Sequence, residues 1–163
     1  MSEAVLGINQ ILLYRILSEA GTAAASKLAF QTEHETTESK DVETVATKDG
    51  NITVPGQLET EISCTSILAV GDTMITKLRD AMRDNELVEV WDIDKTTELT
   101  GKYAATYYQG YITEYSKSAG TEDSVEVSFT FVPNGHGVDG QATLTEEQAA
   151  VVQYVFKDTT IAV

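Results

Sequence analysis

The sequence predicts a mainly β protein: an antiparallel sandwich or barrel with one flanking helix. Three observations predict it. Apolar and polar residues alternate with period two from Leu58 to Leu68 and again from Ser124 to Val132. Lys48-Asp49-Gly50-Asn51 forms a turn signal between two arms rich in Thr and Val. Helical spacing with a capping residue is clear at one place, after Asp72.

In chain order, residues 1–8 read as a flexible N-terminal segment. ILLYRIL (Ile11 to Leu17) is apolar on both faces around Arg15, as expected of a strand covered on both sides. Ser26 to Glu33 is a weaker strand. His34 to Asn51 is a long ribbon of Thr, Val and Glu with no face suited to a core. It reads as a protruding hairpin over about 34–56, with its tip near Asp49-Gly50. Pro55-Gly56 marks a bend or an edge in the return arm. The next strand places Leu58, Ile62, Cys64 and Leu68 on one face and Glu59, Glu61, Ser63 and Thr65 on the other.

Asp72 caps a helix over about 72–84, with Met74, Ile75, Leu78, Ala81 and Met82 inward. Leu87 to Ile93 is a strand carrying the sole Trp, and Asp94 to Thr97 is a turn. Tyr103 to Ser116 is a strand with Tyr103, Tyr107, Tyr111 and Tyr115 in phase, and Tyr108 and Ile112 opposite. A hairpin through residues 117–123 leads to a strand with Val125, Val127, Phe129 and Phe131 inward. Pro133 to Gly140 reads as a flexible loop that ends the sheet. Beyond it, about 141–163, lies a C-terminal extension. Its Thr145-Glu-Glu-Gln148 capping box argues for a helix over about 146–156, with a strand as the competing reading of VVQYVF. All 163 residues fit a single domain.

Composition narrows the function. Eleven Lys and Arg face 26 Asp and Glu, a net charge of −15. Binding to phosphate backbones or anionic lipid needs clustered cations, so neither is expected. The longest apolar run, Ala149 to Phe156, is too short to span a bilayer, and no membrane insertion is expected. The start lacks a basic segment followed by an apolar block, so folding in a reducing cytoplasm is expected. Cys64 is the only cysteine and reads as a buried strand residue. His34 and His136 read as exposed loop residues with no metal-ligand spacing around them. No nucleophile motif, phosphate loop or distinct carboxylate pair emerges. The chain therefore reads as a non-enzyme without cofactors or a metal.

A hairpin with few apolar anchors is marginal alone and becomes stable along another copy of the chain. At this point ILLYRIL, the stretch AFQTEHETTESKDVETVATKDGNITVPGQLETEISCTSIL, the helix GDTMITKLRDAM and the late hairpin YYQGYITEYSKSAGTEDSVEVSFTFVPNG together resemble the major tail proteins of long-tailed siphophages of Gram-positive hosts. The resemblance spans roughly residues 8–157, and the Thr47 to Gly50 turn is its most specific part. It implies a tail-tube domain whose hexameric rings stack into a hollow tube around a tape-measure protein. It implies a tail terminator and distal tail or baseplate proteins as further partners, assembly in the host cytoplasm, and residence in the virion tail. DNA would pass through an acidic bore without specific binding. It gives the hairpin an inter-subunit or inter-ring role, with Glu35, Glu38, Lys40, Asp41, Glu43, Val45, Lys48, Asp49, Gly50 and Asn51 as candidate contact residues. The alternative is a monomeric β-sandwich binding module, adhesive or carbohydrate-recognising, using Tyr107, Tyr111 and Tyr115.

Overall fold

A computed structural model describes residues 3–28, 30–98, 100–144 and 159. Among the described residues eight strands and one α-helix follow in order: β1 (Gln10–Ile16), β2 (Ser26–Lys27), β3 (Gln31–Thr47), β4 (Gly50–Ile67), α1 (Thr73–Arg83), β5 (Val88–Asp94), β6 (Lys102–Ser118), β7 (Glu126–Pro133) and β8 (Val138–Thr143). Every strand pairing is antiparallel. The hydrogen-bonded path runs β2-β1-β5-β6-β7-β4-β3, and β8 joins β6.

The two ends of this path come together. The Gln31 side-chain amide of β3 donates to the Leu12 carbonyl of β1 (2.7 Å) and accepts from the Leu12 N–H (3.3 Å). Leu12 and Tyr14 of β1 also share one core with Ile62 and Cys64 of β4. The sheet therefore curls on itself in a barrel-like way. Helix α1 packs Met74, Ile75, Leu78 and Ala81 into that core. The Asp72 carboxylate caps it by accepting from the Met74 N–H at 3.1 Å, as the sequence predicts.

Strand β1 explains its own doubly apolar sequence. Leu12, Tyr14 and Ile16 point into the main core, while Ile11 and Leu13 join Ile93, Trp91, Tyr103 and Ala142 in a second cluster on the opposite face. On that second face a charged group is buried. Glu89 is 3 % exposed and accepts from the Arg15 guanidinium at 2.9 and 3.1 Å and from the Tyr107 hydroxyl. Arg15 also lies over the Trp91 ring at 5.0 Å, and Trp91 packs on Tyr107 with ring centroids 5.1 Å apart. Each charge of the pair is thus held by several groups, which offsets the desolvation of Glu89.

Four sequence expectations change. Ser26 to Glu33 is not one strand: Phe30 takes a positive φ of 54°, which breaks it between β2 and β3. Pro133 to Gly140 does not end the sheet, because Val138–Thr143 pairs with the first half of β6. Its Val-Asp-Gly-Gln-Ala-Thr sequence has no apolar alternation, since its ladder to β6 holds it with little more than Ala142 on the second cluster and a Thr106–Asp139 side-chain hydrogen bond (2.9 Å). This strand also occupies the first residues of the expected C-terminal extension. The tyrosines of β6 do not stay in phase. A bulge at Thr113, between the pairs Ile112↔Phe131 and Glu114↔Thr130, turns Tyr115 onto the face of Ile112. His34 is a half-buried strand residue rather than an exposed loop residue. The expected helix over 146–156 lies outside the described residues.

Candidate assembly interface: the free-standing hairpin

β3 and β4 pair from Gln31↔Ser66 up to Thr47↔Gly50. β4 touches β7 only from Ile62 to Ile67. Among the described residues, the hairpin from Thr37 to Glu61 therefore leaves the sheet with no third strand paired to it. At about 3.3 Å per residue, the ten steps from Thr37 to Thr47 project roughly 33 Å.

Sequence and local chemistry build this arm. Thr47 closes the tip: its hydroxyl donates to the Gly50 carbonyl (2.6 Å) and accepts from the Asp49 N–H (3.2 Å). Gly50 supplies the positive φ, 114°, that the turn needs, while Asp49 does not share it. Midway, Gly56 and Gln57 lie against the single residue Asp41, between the pairs Lys40↔Leu58 and Val42↔Pro55. This is a bulge, and it absorbs the bend expected at Pro55-Gly56. A Cβ on Gly56 would approach the Asp41 carbonyl oxygen to 2.9 Å, so glycine is required there.

The root is fixed firmly. Gln31 bonds to β1 as described, and the Thr32 hydroxyl donates to the Thr65 carbonyl (3.1 Å). His34 Nε2 lies 3.6 Å from Asp92 Oδ1 on β5. The hydroxyls of Thr36 and Thr60 and the Asp92 Oδ1 are buried there without a hydrogen-bond partner among the described residues. The arm is thus a rigid root carrying an unsupported tip.

All ten candidate residues, Glu35, Glu38, Lys40, Asp41, Glu43, Val45, Lys48, Asp49, Gly50 and Asn51, are exposed. They do not form one patch. Cross-strand register places Glu35, Asp41, Glu43 and Val45 on one side of the ribbon, with Glu59 and Glu61. Glu38 and Lys40 lie on the other side, and Lys48 and Asp49 form the tip. The candidate set omitted a further feature. Val45 pairs with Ile52 and Glu43 with Val54, so Val45, Ile52 and Val54 form an apolar stripe on one face. These three are 42 %, 52 % and 43 % exposed. The ribbon thus has an apolar face after all, at its far end, where its own core cannot reach. Ile52-Thr53-Val54 was the visible signal: its alternation reads as apolar once the opposite arm supplies Val45.

Charge sets what this surface can meet. Residues 31–67 carry eight carboxylates against two lysines. Two such ribbons side by side would repel. Elsewhere, Cys64 is buried, and burial pushes its thiol up from the usual value. Among the described residues no group of three or more His, Cys, Asp or Glu is placed to hold a metal ion. No described helix is long and apolar enough to cross a membrane. Tyr107, Tyr111 and Tyr115 do not present a shared stacking face: Tyr115 packs on Phe129 at 5.3 Å, Tyr107 bonds to Glu89, and Tyr111 alone is exposed.

Comparison with known proteins agrees with this geometry. The family described as phage tail tube protein matches residues 7–160. A putative tail protein of Staphylococcus phage phiMR25 is 30% identical over 94% of this chain and 82% of its own length. Tail tube protein gp17.1* of Bacillus phage SPP1 is 26% identical over 88% of this chain, which spans 54% of that relative. The solved SPP1 tail tube superposes with a TM-score of 0.81 at 22% identity, covering 94% of this chain and 91% of that one. The tail of an empty gene transfer agent particle shares the fold at a TM-score of 0.63 and 13% identity, over 87% of this chain and all of that one. With a family match across nearly the whole chain and a relative at 30% identity, this chain belongs to the phage tail tube protein family and is a structural subunit of a phage tail.

Proposed function

We propose that six copies form a ring, that rings stack into a hollow tube around the tape-measure protein, and that the genome leaves through its bore. The carrying observation is the hairpin from Thr37 to Glu61, which leaves its own sheet and exposes an apolar stripe at its tip. Such an arm is marginal alone and makes physical sense when a neighbouring copy covers it. Six-fold symmetry draws support from the gene transfer agent tail, which was refined with C6 symmetry. The candidate residues of the arm act between subunits or between rings, and the chain does no catalysis. A tail terminator and distal tail proteins close the two ends of the tube, and assembly takes place in the host cytoplasm.

The charge fits a conduit. Six copies of a −15 chain make a ring that repels phosphate, so DNA slides rather than binds. Electron microscopy of the purified protein tests the proposal: six-fold rings or tubes with an open bore are expected. A strict monomer at high concentration, under conditions that drive tail assembly, would sink it. A bore that retains short duplex DNA at low salt would overturn the conduit argument.

A further inference from the structure

The connector between β7 and β8 is four residues, Asn134-Gly135-His136-Gly137. Its two ends are held and its middle is not. The Asn134 N–H donates to the Gln109 carbonyl at 2.7 Å, one step beyond the Gly110↔Pro133 pair. Gly137 lies so close to β6 that a Cβ there would come within 2.4 Å of the Thr106 methyl and 2.6 Å of the Tyr108 ring. Between these points Gly135 takes a φ of 68° with open space around it, and Asn134 and Gly135 are both exposed. Among the described residues nothing accepts a hydrogen bond from the Gly135 N–H.

That nitrogen follows an asparagine, and it stands two bonds from the backbone carbon that carries the Asn134 side chain. The sequence has four asparagines, and the nitrogen that follows differs at each. After Asn9, the Gln10 N–H is tied to the Gly7 carbonyl. After Asn85, the Glu86 N–H is tied to the Ala81 carbonyl at 2.9 Å. After Asn51 comes Ile52, which sits in the arm's ladder opposite Val45 and whose branched side chain crowds its own nitrogen. Only Asn134 precedes a residue with no side chain and, among the described residues, with an untied N–H. Asp49-Gly50 and Asp139-Gly140 share the glycine, but Gly50 and Gly140 lie in ladders, and an ionised carboxylate is a poorer electrophile than an amide.

We propose that Asn134-Gly135 is a self-modifying site, at which the folded chain converts Asn134 to aspartate and isoaspartate without an enzyme. The Gly135 nitrogen attacks Asn134 Cγ and gives up its proton to water. The Cγ–Nδ2 bond breaks, the nitrogen leaves as ammonia, and a five-membered succinimide closes. Water then adds to one of the two ring carbonyls and the bond from that carbon to the Gly135 nitrogen breaks. Opening at Cγ gives aspartate; opening at the Asn134 backbone carbonyl gives isoaspartate, with the main chain running through the former side chain. The balance is one amide and one water to one carboxylic acid and one ammonia, and no oxidant or cofactor enters. The attack is intramolecular, and proximity supplies the rate. Each event adds one negative charge to the −15 of the chain. The isoaspartate form also adds a methylene to a short connector fixed at both ends. β8 has to absorb that length, because most of its residues are exposed and its ladder to β6 is its main hold.

The test ages the folded full-length protein at mildly alkaline pH and maps it by mass spectrometry. Asn134 should gain one mass unit at least about tenfold faster than Asn9, Asn51 or Asn85. Protein isoaspartyl methyltransferase should label the aged chain. Asn134→Gln should remove most of that label, since glutamine would have to close a larger ring. Gly135→Ala, whose methyl meets nothing within 4 Å but stands beside the attacking nitrogen, should slow the conversion at least about tenfold. In the isoaspartate fraction, separated by ion exchange, amide hydrogen exchange over residues 138–143 should quicken at least about threefold. Asn134 converting no faster than the other three asparagines, or only after unfolding in urea, overturns the site. A label undiminished in Asn134→Gln overturns it as well. Unchanged exchange over 138–143 overturns the loosening of β8. The comparison of the four asparagines is made within the parent chain, so it decides the matter even where a variant folds poorly.

Discussion

Removing the arm should separate folding from assembly. Thr37 and Glu61 face each other directly across the ladder. Residues 38–60 can therefore be replaced by Asn-Gly, a two-residue turn suited to closing a hairpin at that point. A cut confined to one arm, such as 36–49, would instead leave Gly50 to Glu61 without its cross-strand partner. Within 38–60 every residue is exposed except half-buried Leu58 and buried Thr60. Losing half of a leucine's burial removes about 1 kcal/mol, and losing the Thr60 methyl about 0.8 kcal/mol more. The shortened chain should therefore lose about 1–2 kcal/mol, or a melting temperature lower by about 2–8 °C for a chain of this size. Circular dichroism should keep its β signature and a single cooperative transition. Micrographs of the same sample should show no tubes. Collapse to a non-cooperative melt would show that the arm supports the barrel. Tubes at the parental yield would show that the arm is dispensable for stacking.

Three further outcomes follow from the body of the subunit. Arg15→Met leaves Glu89 buried with only Tyr107 donating to it, so it should cost about 2–3 kcal/mol in a urea melt, while Arg15→Met with Glu89→Leu should recover most of the loss. Gly110→Ala would drive a Cβ into the Val132 carbonyl and the Pro133 Cα across the β6–β7 ladder; soluble yield should drop sharply, with a stability loss of about 2 kcal/mol or more, whereas Gly21→Ala, which meets nothing within 4 Å, should fold normally. Burial raises the pKa of both Cys64 and Tyr14, so both are harder to ionise in the folded state than in the unfolded one. That contribution is fully present below the unfolded thiol value near 9.0 and is lost progressively as pH rises from there through the raised folded values, so the melting temperature should fall above about pH 8–9, and less steeply in Cys64→Ala with Tyr14→Phe.

Much of the fold was legible where one face of an element meets a core. The period-two runs at Leu58 to Leu68 and Ser124 to Val132 became β4 and β7, and the stripe from Met74 to Met82 became α1 capped by Asp72. What escaped had no local side-chain signal. β8 is held by its ladder to β6, with exposed residues along most of its length. The bulge at Thr113 depends on how β6 meets β7, so the phase of Tyr115 could not be read from β6 alone. The break at Phe30 belongs to the same class, since nothing in Leu-Ala-Phe-Gln announces a left-handed backbone. For the candidate site, the arm and its tip were legible because Asp49-Gly50 is a strong turn signal. Its division into two faces was not, since that requires the register that pairs Val45 with Ile52 and Glu43 with Val54.

The arm also has to avoid pairing with the wrong partner. Among the described residues, β3 ends the hydrogen-bonded path, and no strand pairs with the outer edge of its seventeen residues. A long open edge invites indiscriminate strand addition. Three features oppose it here. A bulge at Thr32 in β3, and one in β4 at Gly56-Gln57 opposite Asp41, bend and twist the ribbon, so its edge is not straight. Carboxylates at Glu33, Glu35, Glu38, Asp41 and Glu43 repel a second copy of the same edge. The apolar residues are confined to the last turns of the ribbon, beyond the second bulge. Association is thereby suppressed along the shaft and left open at the tip. The ribbon's acidity thus keeps the shafts of separate copies apart.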